Sequence, residues 1–551
     1  MNPTRFDVHP EVDEPMASDP TEGPERIPLA SPLPDPGAPS PDTLPDPTLR
    51  IRRPADGGLV GEIAVDDRAA VEAALARVRA VQPGWGALTP RARAERMLAL
   101  RREITRRTQD IVDRIVAETG KPESEALSEV LMVLRILGHY LRRAPRWLRP
   151  KRVGTWILPG TSGWVIREPV GVVGILSPWN YPFILSMEPT LTALMGGNGV
   201  VLKPSEHTPF TGAFVQELCE GAGLPEDLVV AVFGRRETGE ALVDARPDHL
   251  HLVGGTATGR AVLRRAAETL LPVTLELGGK DPAIVRADAD LERAARGIAF
   301  GGYYNAGQTC ISTERVFVHQ SVYEPFLKAL VRQTAALRFG TGGEVDVGPM
   351  TVDAQLQIVE SQVRDAVERG ARILCGGGRA DPASNVYLPT VLADVPRDAR
   401  VLREETFGPI LPVVAVEDDD DAVSRVNAHP MGLFASIWTR DHTVGLKMAR
   451  QLRAGGVSIN DTLSHWAVPG LPMGGVGDSG ASRVRGEEGL LAFTRSRSIL
   501  LNRGWLRREF WWYPYTPFGR RLLRALLGWE GHRGFRGIAA ALVRFFSREV
   551  R

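Results

Sequence analysis

Short apolar runs rich in valine, isoleucine and leucine recur through the middle of the chain, separated by stretches long enough for a helix. From residue 170 they read "VGVVGIL", "GVVLKPS", "LVVAVFG", "HLHLVGG", "PVTLELGG" and "DPAIVRA". A second series follows residue 310: "ERVFVHQ", "RILCGGG", "LPVVAVE", "ASIWTR" and "GGVSIND". Runs of this kind, bounded by glycine and turn residues, read as strands buried on both faces. Parallel strands need a crossover of about a dozen residues or more, which the helix-length spacers supply. The expected fold class is therefore α/β, with open, mostly parallel sheets. Two series in succession predict two such domains, and the cleft between them is the place for a ligand. With 551 residues, 43% of them hydrophobic, the chain can fill both cores.

The two ends differ from this body. Residues 1–49 are acidic and about a quarter proline, too poor in apolar surface to offset the entropy of ordering, so a disordered leader is expected. Order is expected from "DGGLVGEIAVDDRAAVEAALARVRAVQPGW", a short strand, then Asp66 as a helix cap, then an alanine-rich amphipathic helix. More helix should run from Pro90 to about Arg143, and "WILPGTSGWVIREP" reads as a hairpin turning at Pro159-Gly160. Residues 503–551 form a basic amphipathic tail that combines arginine with leucine and phenylalanine. Peripheral contact with the inner face of a membrane, and docking on the same protein or a partner subunit, are both open for it. No apolar run reaches the roughly 18 residues of a spanning helix, and no signal peptide is read. Cys219, Cys310 and Cys375 are too few for a disulfide framework and lack the spacing of a zinc site. No metal is expected, and the setting is expected to be reducing and cytoplasmic. A net charge of +1, without a base-reading module, gives no reason to expect nucleic acid.

Chemistry concentrates at strand ends. Cys310 lies in the small, polar stretch "GGYYNAGQTCIST", where a thiolate could attack a carbonyl carbon. Glu276 ends an apolar strand in "TLELGGKDP" and precedes two glycines, a position suited to a general base, an ion pair or a turn cap. Asn180 in "SPWNYPF" offers an amide donor to an oxyanion, with the backbone N–H of Cys310 as a second donor. Lys203 and Glu206 in "VVLKPSEHTP" could hydrogen-bond ribose hydroxyls or form a surface ion pair. Gly254 and Gly255 in "LVGGTATGR" stand between a strand and a helix, where backbone N–H groups could accept a pyrophosphate. Glu405 and Phe407 in "EETFGP" add a second ribose acceptor and an aromatic wall.

In this order, PWNYP, KPSE, a Gly-Thr turn, LELGGK, GQTC, EETFGP and LPMGGVGDSG resemble the aldehyde dehydrogenase superfamily over about residues 50–500. The resemblance implies an NAD-binding domain (50–152 and 170–280), a catalytic domain (281–475) and small β oligomerisation elements (153–169 and 476–502). A homodimer or homotetramer would follow. It implies that Cys310 is the nucleophile, Glu276 the general base and Asn180 the oxyanion donor. Trp179, Lys203, Ser205, Glu206, Gly234, Gly254, Gly255, Leu277, Glu405 and Phe407 would bind the cofactor. The implied reaction oxidises an aldehyde to its acid through a cysteine thiohemiacetal and a thioester. Glu206 makes NAD the expected cofactor, with NADP as the alternative, because a carboxylate repels a 2′-phosphate. Tyr181, Phe183 and Trp466, with the apolar loop "NDTLSHWAVPGLP", suggest a medium- or long-chain aliphatic or an aromatic aldehyde. The alternatives are a semialdehyde such as succinate semialdehyde and, from another class, an idle structural or membrane scaffold. Two departures stand out. Gly255 replaces a serine found in many relatives, and the tail looks more like that of class-3 and fatty-aldehyde dehydrogenases.

Overall fold

A computed structural model describes residues 47–531 apart from 156, 157, 159, 343 and 481, together with 538–539 and 541–542. The expected leader up to residue 46, Pro159 of the hairpin turn and most of the distal tail lie outside the described residues. Two compact units result. One ends at Leu148, resumes at Glu168 and continues to Arg495; the other takes Arg149–Arg167 and the chain from Ser496 on.

The first unit opens with an antiparallel pair, β1 (Thr48–Arg52) and β2 (Leu59–Ala64). Four helices follow: α1 (Arg68–Gly86), α2 (Pro90–Arg106), α3 (Thr108–Thr119) and α4 (Glu123–Trp147). The cap of α1 is Asp67, whose carboxylate accepts from the Ala70 N–H at 2.8 Å, and not the expected Asp66. Asp66 instead accepts from the Phe233 N–H at 2.7 Å, a long-range tie that local sequence does not reveal. Thr89 caps α2, and Pro90 at its first position loses no hydrogen bond there. Along α4, Ala126, Val130, Val133, Leu137, Tyr140 and Ala144 recur at helical spacing and are all buried.

The second unit contains β3 (Lys151–Val153) and most of β4 (Thr161–Pro169), an antiparallel pair. Back in the first unit, five strands make a wholly parallel sheet: β5 (Val172–Leu176), β6 (Gly199–Lys203), β7 (Val229–Ala231), β8 (His249–Gly254) and β9 (Val273–Leu277). Their order is β7-β6-β5-β8-β9. Helix α5 (Ile184–Gly196) follows β5 and is buried almost throughout.

The second sheet has seven strands: β10 (Asp281–Val285), β11 (Thr313–His319), β12 (Arg372–Cys375), β13 (Thr390–Ala393), β14 (Ile410–Val416), β16 (Phe434–Trp438) and β17 (Gly456–Ile459). Its order is β12-β13-β14-β11-β10-β16-β17, parallel except for the edge strand β12. The expected α/β class with two mostly parallel sheets is what the chain adopts. A two-stranded ribbon, β15 (Met431–Gly432) with β18 (Val476–Gly477), lies outside both sheets. In the second unit, β19 (Thr494–Asn502) completes a three-stranded sheet in the order β19-β4-β3, and a helix spans Pro517–Gly531. No described helix is long and apolar enough to cross a membrane.

The helix Leu291–Tyr303 lies on the second sheet and ends at the loop that leads to Cys310. A Cβ on its Gly297 would stand 2.1 Å from Cη2 of Trp438. Trp438 is buried, and its indole N–H donates to Ser436 Oγ at 3.2 Å, so it cannot step aside. Gly297→Ala should therefore lower stability by about 1–3 kcal/mol, read as a lower Tm in differential scanning calorimetry. An unchanged Tm would show that this contact relaxes freely.

Candidate active site

Cys310 reaches the cleft through an unusual stretch of backbone. Asn305, Ala306 and Gly307 are consecutive residues with φ of 56°, 53° and 73°. For the first two this left-handed conformation costs about 1–3 kcal/mol each. At Gly307 a side chain is excluded, since a Cβ would lie 2.2 Å from Gly408 O. The turn holds because Asn305 is tied twice: its N–H donates to Glu125 Oε1 at 2.9 Å and its Nδ2 to Asn180 O at 3.0 Å.

Asn180 follows β5 across the cleft. Its Nδ2 donates to Gln308 O at 2.9 Å, and its own backbone carbonyl also accepts from Lys121 Nζ at 2.7 Å. Tyr181 bonds Thr309 through their hydroxyls at 2.6 Å, so the β5 tip and the cysteine loop are stitched at two neighbouring residues. Glu276 stands opposite Val253 near the end of β9. Its Oε1 has no hydrogen-bond partner among the described residues. Burial raises the Glu276 carboxyl well above its ordinary pKa and nearby Glu188 adds to this, against Arg483 and Arg485. Burial also pushes the Cys310 thiol up to about 12, helped by Asp281, Glu276 and Glu405. The Cys310 thiol therefore holds its proton near neutral pH, and Glu276 gives its proton up less readily than an ordinary carboxyl.

The other end of the cleft suits a dinucleotide. Lys203 ends β6, and its Nζ lies 3.5 Å from Glu206 Oε2, which Ser205 Oγ also approaches at 3.4 Å. Burial opposes ionisation of Glu206, but Lys203 and His207 hold its carboxyl below the usual range. Gly255 precedes the first turn of the helix Thr256–Ala267, in open space toward the cavity. Glu405 accepts from the Gly279 N–H at 3.1 Å, and a Cβ on Gly278 would meet its carboxylate at 2.2 Å. Burial, with Glu314 nearby, pushes Glu405 up to about 8. The Phe407 and Trp179 rings meet edge to face at 5.5 Å. Two carboxylates that can accept hydroxyl hydrogen bonds, a helix N-terminus and a two-ring wall together fit NAD(P).

A single cavity of about 2400 Å³ brings these groups together. Cys310, Glu276 and Asn180 line it, as do Lys203, Ser205, Glu206, Gly254 and Gly255. So do Trp179, Leu277, Glu405 and Phe407, and Tyr181 and Trp466 of the expected substrate channel. Two expected residues do not reach it. Phe183 is fully buried in the core around α4 and α5, because its position at the start of α5 turns the ring inward. Gly234 shapes the turn after β7, with φ of 155°, and is absent from the cavity wall.

Sequence reading missed the charged residues that hold the site. Lys121 pairs with Glu129 at 2.8 Å, Lys280 with Glu314 at 2.7 Å and Arg485 with Glu188 at 2.8 Å, all with nearly inaccessible side chains. The only local hint was a lysine or arginine beside glycine or proline, which occurs too often to single these out.

The model of the aldehyde dehydrogenase family matches residues 43–499. The 4,4′-diapolycopene aldehyde oxidase of Methylomonas is 41% identical over 483 residues, covering 87% of this chain and 91% of that protein. A Mycolicibacterium smegmatis protein named as a candidate succinate-semialdehyde dehydrogenase (NADP+) is 36% identical, covering 79% and 84%. Among solved structures, a Mycobacterium tuberculosis aldehyde dehydrogenase complexed with NAD+ superposes with a TM-score of 0.79 at 34% identity, over 83% of this chain and 95% of that one.

The raised thiol pKa has a direct chemical readout. In the cofactor-free protein, alkylation of Cys310 by iodoacetamide, followed by peptide mass spectrometry, should be slow at about pH 7. It should still be climbing above about pH 9, because only the thiolate reacts and the thiol titrates at about 12. A plateau by about pH 8 would place this thiol in the ordinary range.

Proposed function

The chain belongs to the aldehyde dehydrogenase family and oxidises an aldehyde with NAD(P); from that premise we propose a hydrolytic, cysteine-based route and an apolar substrate. When bound, the dinucleotide supplies a hydride acceptor and a positive charge that favours the thiolate. The Cys310 thiol loses its proton to solvent, the thiolate sulfur adds to the aldehyde carbon, and the carbonyl oxygen becomes an oxyanion. Asn180 Nδ2 and the Cys310 backbone N–H stabilise that charge, the amide exchanging its bond to Gln308 O for one to the oxyanion. Loss of hydride from this carbon leaves a thioester on Cys310. Glu276, desolvated and with no hydrogen-bond partner for its Oε1 among the described residues, is a stronger base than an ordinary carboxylate once ionised. It takes a proton from water, whose oxygen attacks the thioester carbon; the acid leaves and sulfur is regenerated. Glu206 supports NAD, since its carboxylate can accept from both ribose hydroxyls and repels a 2′-phosphate.

The observation that carries the substrate reading is the packing around the thiol. Cys310 lies against a cluster of Ile311, Leu433, Phe434 and Leu463, joined by Tyr304, Trp466 and Met473. Such a wall favours a medium- or long-chain or aromatic aldehyde, and the relative named for a diapolycopene aldehyde agrees with it. A second reading is a semialdehyde such as succinate semialdehyde. The relatives' names back it better than they back the apolar one, since the M. smegmatis protein and several mycobacterial proteins carry that name.

The deciding measurement is NADH formation across a series from acetaldehyde to decanal, with benzaldehyde and succinic semialdehyde. Activity should rise with chain length, and Cys310→Ala should abolish it. Glu276→Gln should keep a single burst of NADH per site while steady turnover falls by about a hundredfold or more. Preference for succinic semialdehyde would replace the apolar reading with the second one. Equal loss of burst and turnover would remove Glu276 from the hydrolytic step.

The sheet β19-β4-β3 supports a subunit-pairing role, because Ile499, Leu500 and Leu501 on β19 are exposed. The helix Pro517–Gly531 exposes Leu523 and Leu527 beside Arg520, Arg521 and Arg524, which supports peripheral contact with an anionic membrane. Full-length protein should co-sediment with phosphatidylserine vesicles, and the double change Leu523→Glu/Leu527→Glu should abolish this. Undiminished sedimentation would assign these leucines another role.

A further inference from the structure

The cavity wall contains an arginine whose charge is already spent. Arg485 has a left-handed backbone (φ 67°) immediately before the helix Gly486–Ala492, and its side chain is 2% exposed. Its Nε donates to Glu188 Oε1 at 2.8 Å and its Nη2 to Glu188 Oε2 at 3.0 Å, a two-pronged pair with the carboxylate on α5. Its Nη1 donates to Trp466 O at 2.5 Å, and the guanidinium carbon lies 5.9 Å from the Trp466 ring centre. All three guanidinium nitrogens therefore have an acceptor. Arg485 and Glu188 line the same cavity as Cys310, Glu276 and Trp466.

A guanidinium in a dry wall beside the reacting centre is the group that would recognise a carboxylate on a substrate, because the planar fork matches both oxygens. Here a carboxylate from the protein occupies that fork. An incoming carboxylate would have to displace Glu188 and leave it buried without a partner, at a cost the new pair could at best match. A neutral chain meets no such penalty. We propose that Glu188 is a specificity-determining residue that acts as an internal counter-carboxylate: it saturates Arg485 and so makes the channel reject aldehydes that end in a carboxylate. This rests on the apolar-aldehyde reading above and names the device that enforces it. It also explains how a chain with relatives named for succinate semialdehyde can carry a buried arginine in the wall without using it for that substrate.

The test compares succinic semialdehyde with pentanal as kcat/KM ratios in the full-length protein. Glu188→Gln keeps the shape and one acceptor but removes the charge, so the ratio should rise by about tenfold or more, mainly through a lower KM for succinic semialdehyde. The double variant Glu188→Met/Arg485→Met, which removes the whole pair, should show no such gain. Should Glu188→Gln not fold, Glu188→Asp takes its place; it is too short to bridge both nitrogens and should shift the ratio in the same direction. A folded, NAD-binding Glu188→Gln with an unchanged ratio would overturn the proposal, since a merely structural pair affects both substrates alike. So would an equal gain in the double variant, or a wild type that prefers succinic semialdehyde and loses that preference in Arg485→Met. A wild type that oxidises neither aldehyde would instead overturn the apolar-aldehyde reading.

Discussion

One buried ion pair ties the working parts of this cleft together. Lys280 Nζ meets Glu314 Oε2 at 2.7 Å and Thr406 Oγ1 at 2.8 Å, with the lysine and glutamate side chains 0% and 2% exposed. Glu314 in turn accepts the backbone N–H groups of Thr406 and Phe407, both at 2.8 Å. Lys280 follows Glu276 by four residues, Glu314 follows Cys310 by four, and the two N–H groups belong to the loop of Glu405 and Phe407. Three segments that carry the site's chemistry thus converge on one carboxylate. Burial pulls the Lys280 ammonium below its ordinary pKa, and Glu314 keeps the charge tolerable. Removing either partner would strand the other, at roughly 3–5 kcal/mol.

A parallel arrangement holds the opposite wall. Lys121 and Glu129 form a pair as deeply buried as the first, and between them they fix the chain that carries Asn180. Lys121 grips the Asn180 carbonyl, while Glu129 accepts the N–H groups of Phe183 and Ile184 at 3.2 Å. The Asn180 carbonyl is also where Asn305 anchors the left-handed turn before Cys310. The strained backbone at Asn305 and Ala306 is thus held by the lobe it faces, which suits the proposed partnership of the Cys310 thiol with the Asn180 amide.

The dryness that makes these pairs strong also sets the protonation of the cleft. Glu276 and Cys310 are both held above their ordinary pKa chiefly by burial, with like charges adding to it. Desolvation opposes each ionised form, so an added positive charge acts with unusual leverage there. The same low polarity surrounds the apolar cluster beside Cys310, on which the proposed hydrocarbon substrate would rest. It also makes the pairing of Arg485 with Glu188 consequential, since an unpaired charge in that wall would dominate what binds.

Much of this was legible from the sequence because the signals are local. A strand buried on both faces must be apolar over consecutive residues, so the two series of runs fixed an α/β chain with parallel sheets. Glu276 and Lys203 lie at strand ends, Asn180 and Glu206 in the loops after strands, and Cys310 and Glu405 in the loops before them, and all six meet in one cavity. Where a neighbour decides, local reading failed. Asp67 caps α1 because Asp66 is drawn to Phe233, and Phe183 turns into the core although its neighbour Tyr181 faces the cleft. The sequence determined that apolar strands alternate with helices and which reactive groups lie in or beside them, since periodicity and turn chemistry act over a few residues. Only the tertiary structure decided which charges neutralise each other and which acids are held above their ordinary pKa. Glu188 and Arg485 are 297 residues apart, and the desolvation that governs them exists only once the chain has closed around them.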